Sequence, residues 1–225
     1  MQKVSVVIPT RNRYGKLLKC LQSIPREEWI ETIVICDDDP ASYASLNNSD
    51  IDKYMNIKTF LTHTRLGAVA ARNKYACVVK DGLLYATDDI EFMPNCIEKA
   101  FEVFNKSFPD DDGVVGIAQD QQHHPTGVAL LGTKFLDRYP GRQPFYPGYD
   151  HFACQEVHWL ATKIGKFVIA EEAVVKHYHP LFYKELHDTT HDEARQKRQQ
   201  DHELITQRQQ KNLIWGFNNE QYSVA

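Results

Sequence analysis

The chain has 225 residues, a hydrophobic share of 42%, a charged share of 25% and a formal net charge of −4. These values suit one sizeable globular core, or one domain with an appendage. They exclude a membrane-spanning helix, since no run approaches the roughly 18 apolar residues it needs, and they give no global attraction to nucleic acid or anionic membrane.

The N-terminal stretch MQKVSVVIPTRNR has a short apolar run and no small-residue cleavage site, so it reads as a strand rather than a signal peptide. Within it VSVVI (Val4–Ile8) is a β-branched run ended by Pro9, and Leu17, Leu18, Leu21 and Ile24 follow at helical spacing. TIVIC (Thr32–Cys36) is a second buried strand, ended by DDDP (Asp37–Pro40), and a weaker helical stretch runs from Tyr43 to Tyr54. IKTFLT (Ile57–Thr62) is a third strand, and Gly67 to Val79 a small-residue helix. GLLYA (Gly82–Ala86) is a fourth strand, with a helix from Pro94 to Phe108 beyond it. Continuous apolar strands alternating with amphipathic helices predict a parallel sheet covered on both faces. Ligands of such sheets bind beyond the carboxyl ends of the strands. Here those ends carry PTRNR, CDDDP and TDD.

After about residue 110 the pattern changes. GVVGIAQ and VALLG (Val128–Gly132) are short strands, and GRQPFYPGYD (Gly141–Asp150) reads as an irregular surface loop of the kind that often carries function. A helix is expected over Phe152 to Ile164, with Ala153, Val157, Leu160 and Ile164 as its apolar stripe and Asp150 as N-cap candidate. FVIAEEAVVKHYHP gives one or two strands ending in histidines. From His187 to Asn212 the chain is polar and glutamine-rich, a helical arm whose terminal LIWGF (Leu213–Phe217) could dock on the body or on a second copy of the chain. There is no internal repeat. Cys20, Cys36, Cys77, Cys96 and Cys154 are odd in number and lack CxxC spacing, so they read as reduced core thiols of a cytoplasmic protein.

Two adjacent aspartates, Asp88 and Asp89, follow the fourth strand. Like charges that close repel, and a bound cation reverses the sign of that argument. An isolated pair is an ordinary turn more often than a site. Asp37 and Asp38 strengthen it by ending another strand of the same inferred sheet. Arg65 and Arg72 flank Gly67 in HTRLGAVAARN, where bare backbone permits close approach and an arginine can grip a base or phosphate oxygen.

Taken together, VSVVIPTRNR, ICDDDP, LGAVAARN and YATDDIEFMP resemble, in order and spacing, the inverting family 2 glycosyltransferases of the GT-A fold. The resemblance covers residues 3–108 and, less closely, 128–180. It implies a nucleotide-diphospho-sugar transferase fold over residues 1–182, with a nucleotide-sugar-binding half (1–110), an acceptor half (111–182) and a polar helical extension (183–225). It further implies that Pro9, Thr10, Arg11 and Arg13 line the nucleotide pocket, that Asp38 binds the base, and that Arg72 lies near base or phosphates. Asp88 would address the ribose and Asp89 the metal, Mn²⁺ or Mg²⁺, with His177 or His179 of HYHP completing its shell. The first position of the family's DxD motif is Thr87 here. CQEVHWLATKIGKFVIAEEAVVKH matches the family's acidic helix start, with Glu156 at the catalytic-base position, Gln155 in place of the preceding acid, and Asp150 as the rival base. The implied reaction moves a sugar from a nucleoside-diphosphate donor, UDP-sugar foremost, to a hydroxyl of a glycan, lipid-linked or other acceptor. Two alternatives stand beside it: transfer to modified DNA bases, with Arg195–Lys211 contacting phosphates, and a non-catalytic nucleotide-sugar-binding module.

Overall fold

The structure is a computed structural model that describes residues 1–49, 56–120, 124–151, 154–179, 183 and 188–217. Its centre is an eight-stranded sheet. The first four strands are β1 (Val4–Thr10), β2 (Ile30–Asp37), β3 (Ile57–Thr62) and β4 (Gly82–Tyr85). The others are β5 (Ile90–Phe92), β6 (Val114–Gln119), β7 (Ala129–Leu131) and β8 (Phe167–His177). The order across the sheet is β3-β2-β1-β4-β7-β6-β8-β5. β1 is buried along its whole length and pairs in parallel with β2 on one side and β4 on the other. The strand order therefore reverses between β1 and β4, which opens a crevice at their carboxyl ends. β7 runs antiparallel to both β4 and β6, and β8 runs parallel to β6.

The period-two alternation of β1 divides the core. Val4, Val6 and Ile8 face one apolar cluster, with Leu17, Leu21 and Phe104 from the helices over that face. Val7 faces the other, with Ile33, Leu83, Tyr85 and Phe135. Helices α1 (Tyr14–Gln22) and α4 (Cys96–Ser107) cover the first face. Helices α3 (Ala68–Ala76) and α6 (Cys154–Lys163) cover the second, joined there by Ile205 and Trp215. α2 (Pro40–Asn47) opens on Asp39, whose carboxylate accepts from Ser42 N at 3.1 Å, with Pro40 just inside the helix. The short α5 (Thr133–Leu136) and the long α7 (Thr189–Gln210) complete the order.

Several expectations change. The three-residue β5 has no counterpart among the expected strands, and its antiparallel register sets Ile90 opposite His177. The histidine-bearing segment is one strand, stepping four residues along β8 where β6 steps one, between Ile117↔Ala170 and Ala118↔Val174. The described part of α6 runs from Cys154 to Lys163. Phe152, Ala153, His123 and residues 50–54 lie outside the described residues, as do Pro180 and His187. The loop before α6 is more than surface: Phe145 and Tyr149 are buried, and Asn73 brackets Phe145 through its backbone N and O. All five cysteines are free, with Cys77 exposed rather than in the core. The polar arm carries buried Asp201, Ile205 and Arg208, and Trp215 beyond it is buried against the body.

Candidate active site at the carboxyl edge

The loop after β4 delivers Asp88 and Asp89 into the crevice, where they are only 4% and 5% exposed. Asp88 accepts from Thr10 Oγ1 at 2.8 Å and from Arg13 at 3.1 Å, so the end of β1 and the start of α1 hold it directly. Arg13 reaches Asp89 at 3.5 Å and donates to Asp188 at 2.8 Å. Burial opposes the guanidinium charge, but Asp88, Asp89 and Asp188 outweigh it and raise the Arg13 pKa. Burial above all raises the Asp88 pKa, with Asp89 adding to it and Arg13 opposing. Three carboxylates thus crowd one arginine, and Lys16 pairs with Asp188 at 2.6 Å.

Antiparallel pairing of β5 with β8 brings His177 to the same place. Its Nε2 lies 3.4 Å from Asp89 Oδ1, and the His179 ring packs edge-on against it at 5.5 Å. Among the described residues, Thr87 Oγ1 and Arg72 Nε are buried here with no hydrogen-bond partner. Arg72 otherwise donates to the Ala86 carbonyl at 2.9 Å, and burial lowers its pKa despite the nearby carboxylates.

The three aspartates after β2 have separate positions. Asp37 is buried and accepts from Thr62 Oγ1, Leu66 N and Gly67 N, at 2.9, 2.8 and 2.8 Å, which folds the loop into α3. Asp39 caps α2 and accepts from Asn12 N at 2.7 Å. Asp38, at φ +53°, remains exposed at the rim. Pro9 is buried within β1 and contributes backbone rather than a polar group. Arg11 grips both oxygens of Glu193, at 3.1 and 2.9 Å, and Arg65 donates to the same carboxylate.

The candidate residues of the chain's second half divide. Asp150 lies at the cleft, its side chain 37% exposed and paired with Lys197 at 2.6 Å. Asp201 of α7 accepts from the backbone N of Asp150 and of His151, at 3.1 and 2.6 Å, and so fixes that loop. Gly67, at φ +84°, stands beside it, where an added Cβ would lie 3.7 Å from Asp150 Oδ1. Glu156 is only 1% exposed. Its Oε1 accepts from Tyr149 and from Arg208 Nε, each at 2.5 Å, and its Oε2 from Arg208 and Trp215 N, at 3.0 and 2.6 Å. Arg208 also stacks on Tyr146, 3.7 Å from the ring centroid. The helix start therefore delivers this carboxylate to the C-terminal arm, not to the cleft, because its partners enter from 52 and 59 residues further along the chain.

The sequence profile described as Glycosyl transferase family 2 matches residues 5–157. The chain belongs to glycosyltransferase family 2. No curated protein sequence matches this family 2 chain. Among solved structures, it is similar to S. aureus TarS 1–349, at 16% identity and a TM-score of 0.64, over 79% of this chain and 61% of that one. It is also similar to the mannosyltransferase PcManGT from Pyrobaculum calidifontis, in complex with GDP-Man and Mn²⁺, at 13% identity and a TM-score of 0.62, over 77% and 56%. A third is GalNAc-T7 with UDP, GalNAc and Mn²⁺, at 15% identity and a TM-score of 0.61, over 79% and 44%. The likenesses show the GT-A fold, and the family 2 chain spans 44% to 61% of the length of these proteins. Among its described residues no helix is long and apolar enough to cross a membrane.

Proposed function

We propose that the chain transfers a sugar from a nucleoside-diphosphate donor, of the UDP-sugar class, to an acceptor hydroxyl with inversion at the anomeric carbon. The observation that carries this reading is the pair Asp88–Asp89 at the switch point, with His177 Nε2 facing Asp89 at 3.4 Å. Family membership and the UDP seen with TarS and GalNAc-T7 support the donor class. Among the described residues no three His, Cys, Asp or Glu side chains cluster to hold a metal ion by themselves. One carboxylate and one imidazole suit Mg²⁺ or Mn²⁺, which keep most positions for water and substrate phosphates. The orphaned Thr87 Oγ1 and Arg72 Nε fit the same picture, as groups left over for donor oxygens. When bound, the cation supplies charge neutralisation for the departing diphosphate.

The protein's own groups do the rest. Asp38 at the rim addresses the base, and Asp88, oriented by Thr10 and Arg13, addresses the ribose. Beside the crevice, Arg11 and Arg65 pair with Glu193, and Arg13 and Lys16 with Asp188. A diphosphate arriving there exchanges places with these carboxylates, and the first turn of α7 gives way. Asp150, held by Asp201 and partly open to solvent, receives the acceptor hydroxyl's proton as that oxygen attacks the anomeric carbon. The nucleoside diphosphate leaves from the opposite face, so a single displacement inverts the centre.

The enclosure of Glu156 favours a second reading, a non-catalytic nucleotide-sugar-binding module. A screen of nucleotide sugars with Mn²⁺, following both binding by calorimetry and release of free nucleoside diphosphate, separates the two. Release in the presence of acceptor supports transfer, and saturable binding without release supports the module.

A further inference from the structure

Gln119, at the end of β6, meets two histidine residues at once. Its Nε2 donates to the His124 carbonyl oxygen at 3.3 Å, and its Oε1 lies 2.9 Å from His177 Nδ1. The first contact sets the direction of the amide, because its oxygen cannot donate to another carbonyl. Oε1 thus faces the imidazole as an acceptor, and Nδ1 carries the proton between them. In the neutral ring the lone pair then falls on Nε2, the nitrogen 3.4 Å from Asp89 Oδ1. Two acceptors turned toward each other repel unless positive charge lies between them.

We propose that Gln119 is a positioning residue that selects this tautomer, so that His177 Nε2 and Asp89 Oδ1 form a two-atom clamp for a divalent cation. The inference rests on the cation site proposed above and identifies His177, rather than His179, as its imidazole.

Local structure makes the contact available. Gln119 is registered with Val175, two residues before His177, so the diagonal neighbour is within reach of a long side chain. His177 N donates to Asp120 Oδ1 at 3.0 Å, which fixes the backbone beneath the ring. At Gly127 an added Cβ would come within 2.7 Å of Gln119 Nε2, so bare backbone there lets the amide reach His124. A metal-bound histidine whose second nitrogen loses its hydrogen-bond partner typically binds metal roughly 10–100-fold more weakly.

The test uses the full chain with UDP present and reads Mn²⁺ binding by electron paramagnetic resonance, independent of turnover. Gln119→Leu is expected to weaken Mn²⁺ about 10–100-fold. Gln119→Glu, which still accepts from Nδ1, stays within a few-fold of wild type, whereas a merely structural role would make it the worse variant. Gly127→Ala, which crowds the amide without touching either ligand, weakens Mn²⁺ in the same direction. In metal-free wild type with the ring neutral, the ¹⁵N spectrum shows a protonated Nδ1 and an unprotonated Nε2. The opposite tautomer overturns the proposal without need of any variant. Mn²⁺ binding lost in His177→Ala but unchanged in Gln119→Leu overturns the role of Gln119 alone. Binding unchanged in His177→Ala overturns it together with the cation site beneath it.

Discussion

Replacing Glu156 by Gln separates a buried structural carboxylate from a catalytic one. The carboxylate accepts four hydrogen bonds, two of them from Arg208, and both side chains are almost wholly removed from solvent. The substituted amide would keep the shape but turn an NH₂ group toward donors, and it would take the Glu156 charge away from Arg208. Removing one partner of a buried ion pair costs about 3–5 kcal/mol. In a chain of this size each kcal/mol lowers Tm by roughly 2–4 °C, so Glu156→Gln is expected to lose about 6–20 °C. Asp150→Asn removes only a half-exposed pair with Lys197, so its stability changes by less than about 1 kcal/mol. Its turnover falls by a factor of about 10²–10⁴, the usual worth of a general base. Differential scanning calorimetry, with donor turnover measured well below both melting temperatures, reads the two effects separately. A Glu156→Gln protein with wild-type Tm and no turnover would return the base to Glu156.

Two further outcomes follow from other parts of the molecule. Asp188→Asn combined with Glu193→Gln releases Arg11, Arg13, Lys16 and Arg65 from the arm. At about 0.2–1 kcal/mol for each of these four pairs, UDP should bind at least about fourfold more tightly at low salt, and weaker binding by titration calorimetry would count against displacement of α7. Burial, with His158 adding to it, lowers the His124 pKa to about 4 from an ordinary 6.5. The unfolded chain then takes up this proton at a higher pH than the folded one, so the contribution is present above 6.5 and lost as pH falls toward 4. Urea midpoints should drop across that window in wild type and drop less in His124→Gln; equal slopes would remove His124 as the cause.

The first half of the fold was legible because β1, β2 and β4 are continuous apolar runs and their polar ends fall together at one edge. Asp88 and Asp89 could be read as a site for the same reason. β5 could not, since three residues carry no periodicity, and its existence depends on pairing with a strand far along the chain. Of the DDD run the resemblance singled out Asp38; backbone geometry gives Asp37 to the α3 loop and Asp39 to α2, and leaves Asp38 exposed at the rim. For Glu156, local pattern pointed to the cleft while Arg208 and Trp215 claimed it from the far end of the chain. The polar composition of α7 concealed its buried face, because a buried Asp201 and Arg208 read as solvated charges until their partners are known. Gln119 had no signal at all, since its role depends on a strand register.

On the proposed reading, Asp89 anchors a cation-dependent diphosphate site. Calorimetric titration of UDP into the wild-type chain and Asp89→Ala, each with Mn²⁺ and with chelator, reads that dependence. UDP binding that tightens about tenfold or more with Mn²⁺ in wild type, and does not respond to Mn²⁺ in Asp89→Ala, is the expected result; equal UDP affinity with Mn²⁺ and with chelator in wild type would contradict it.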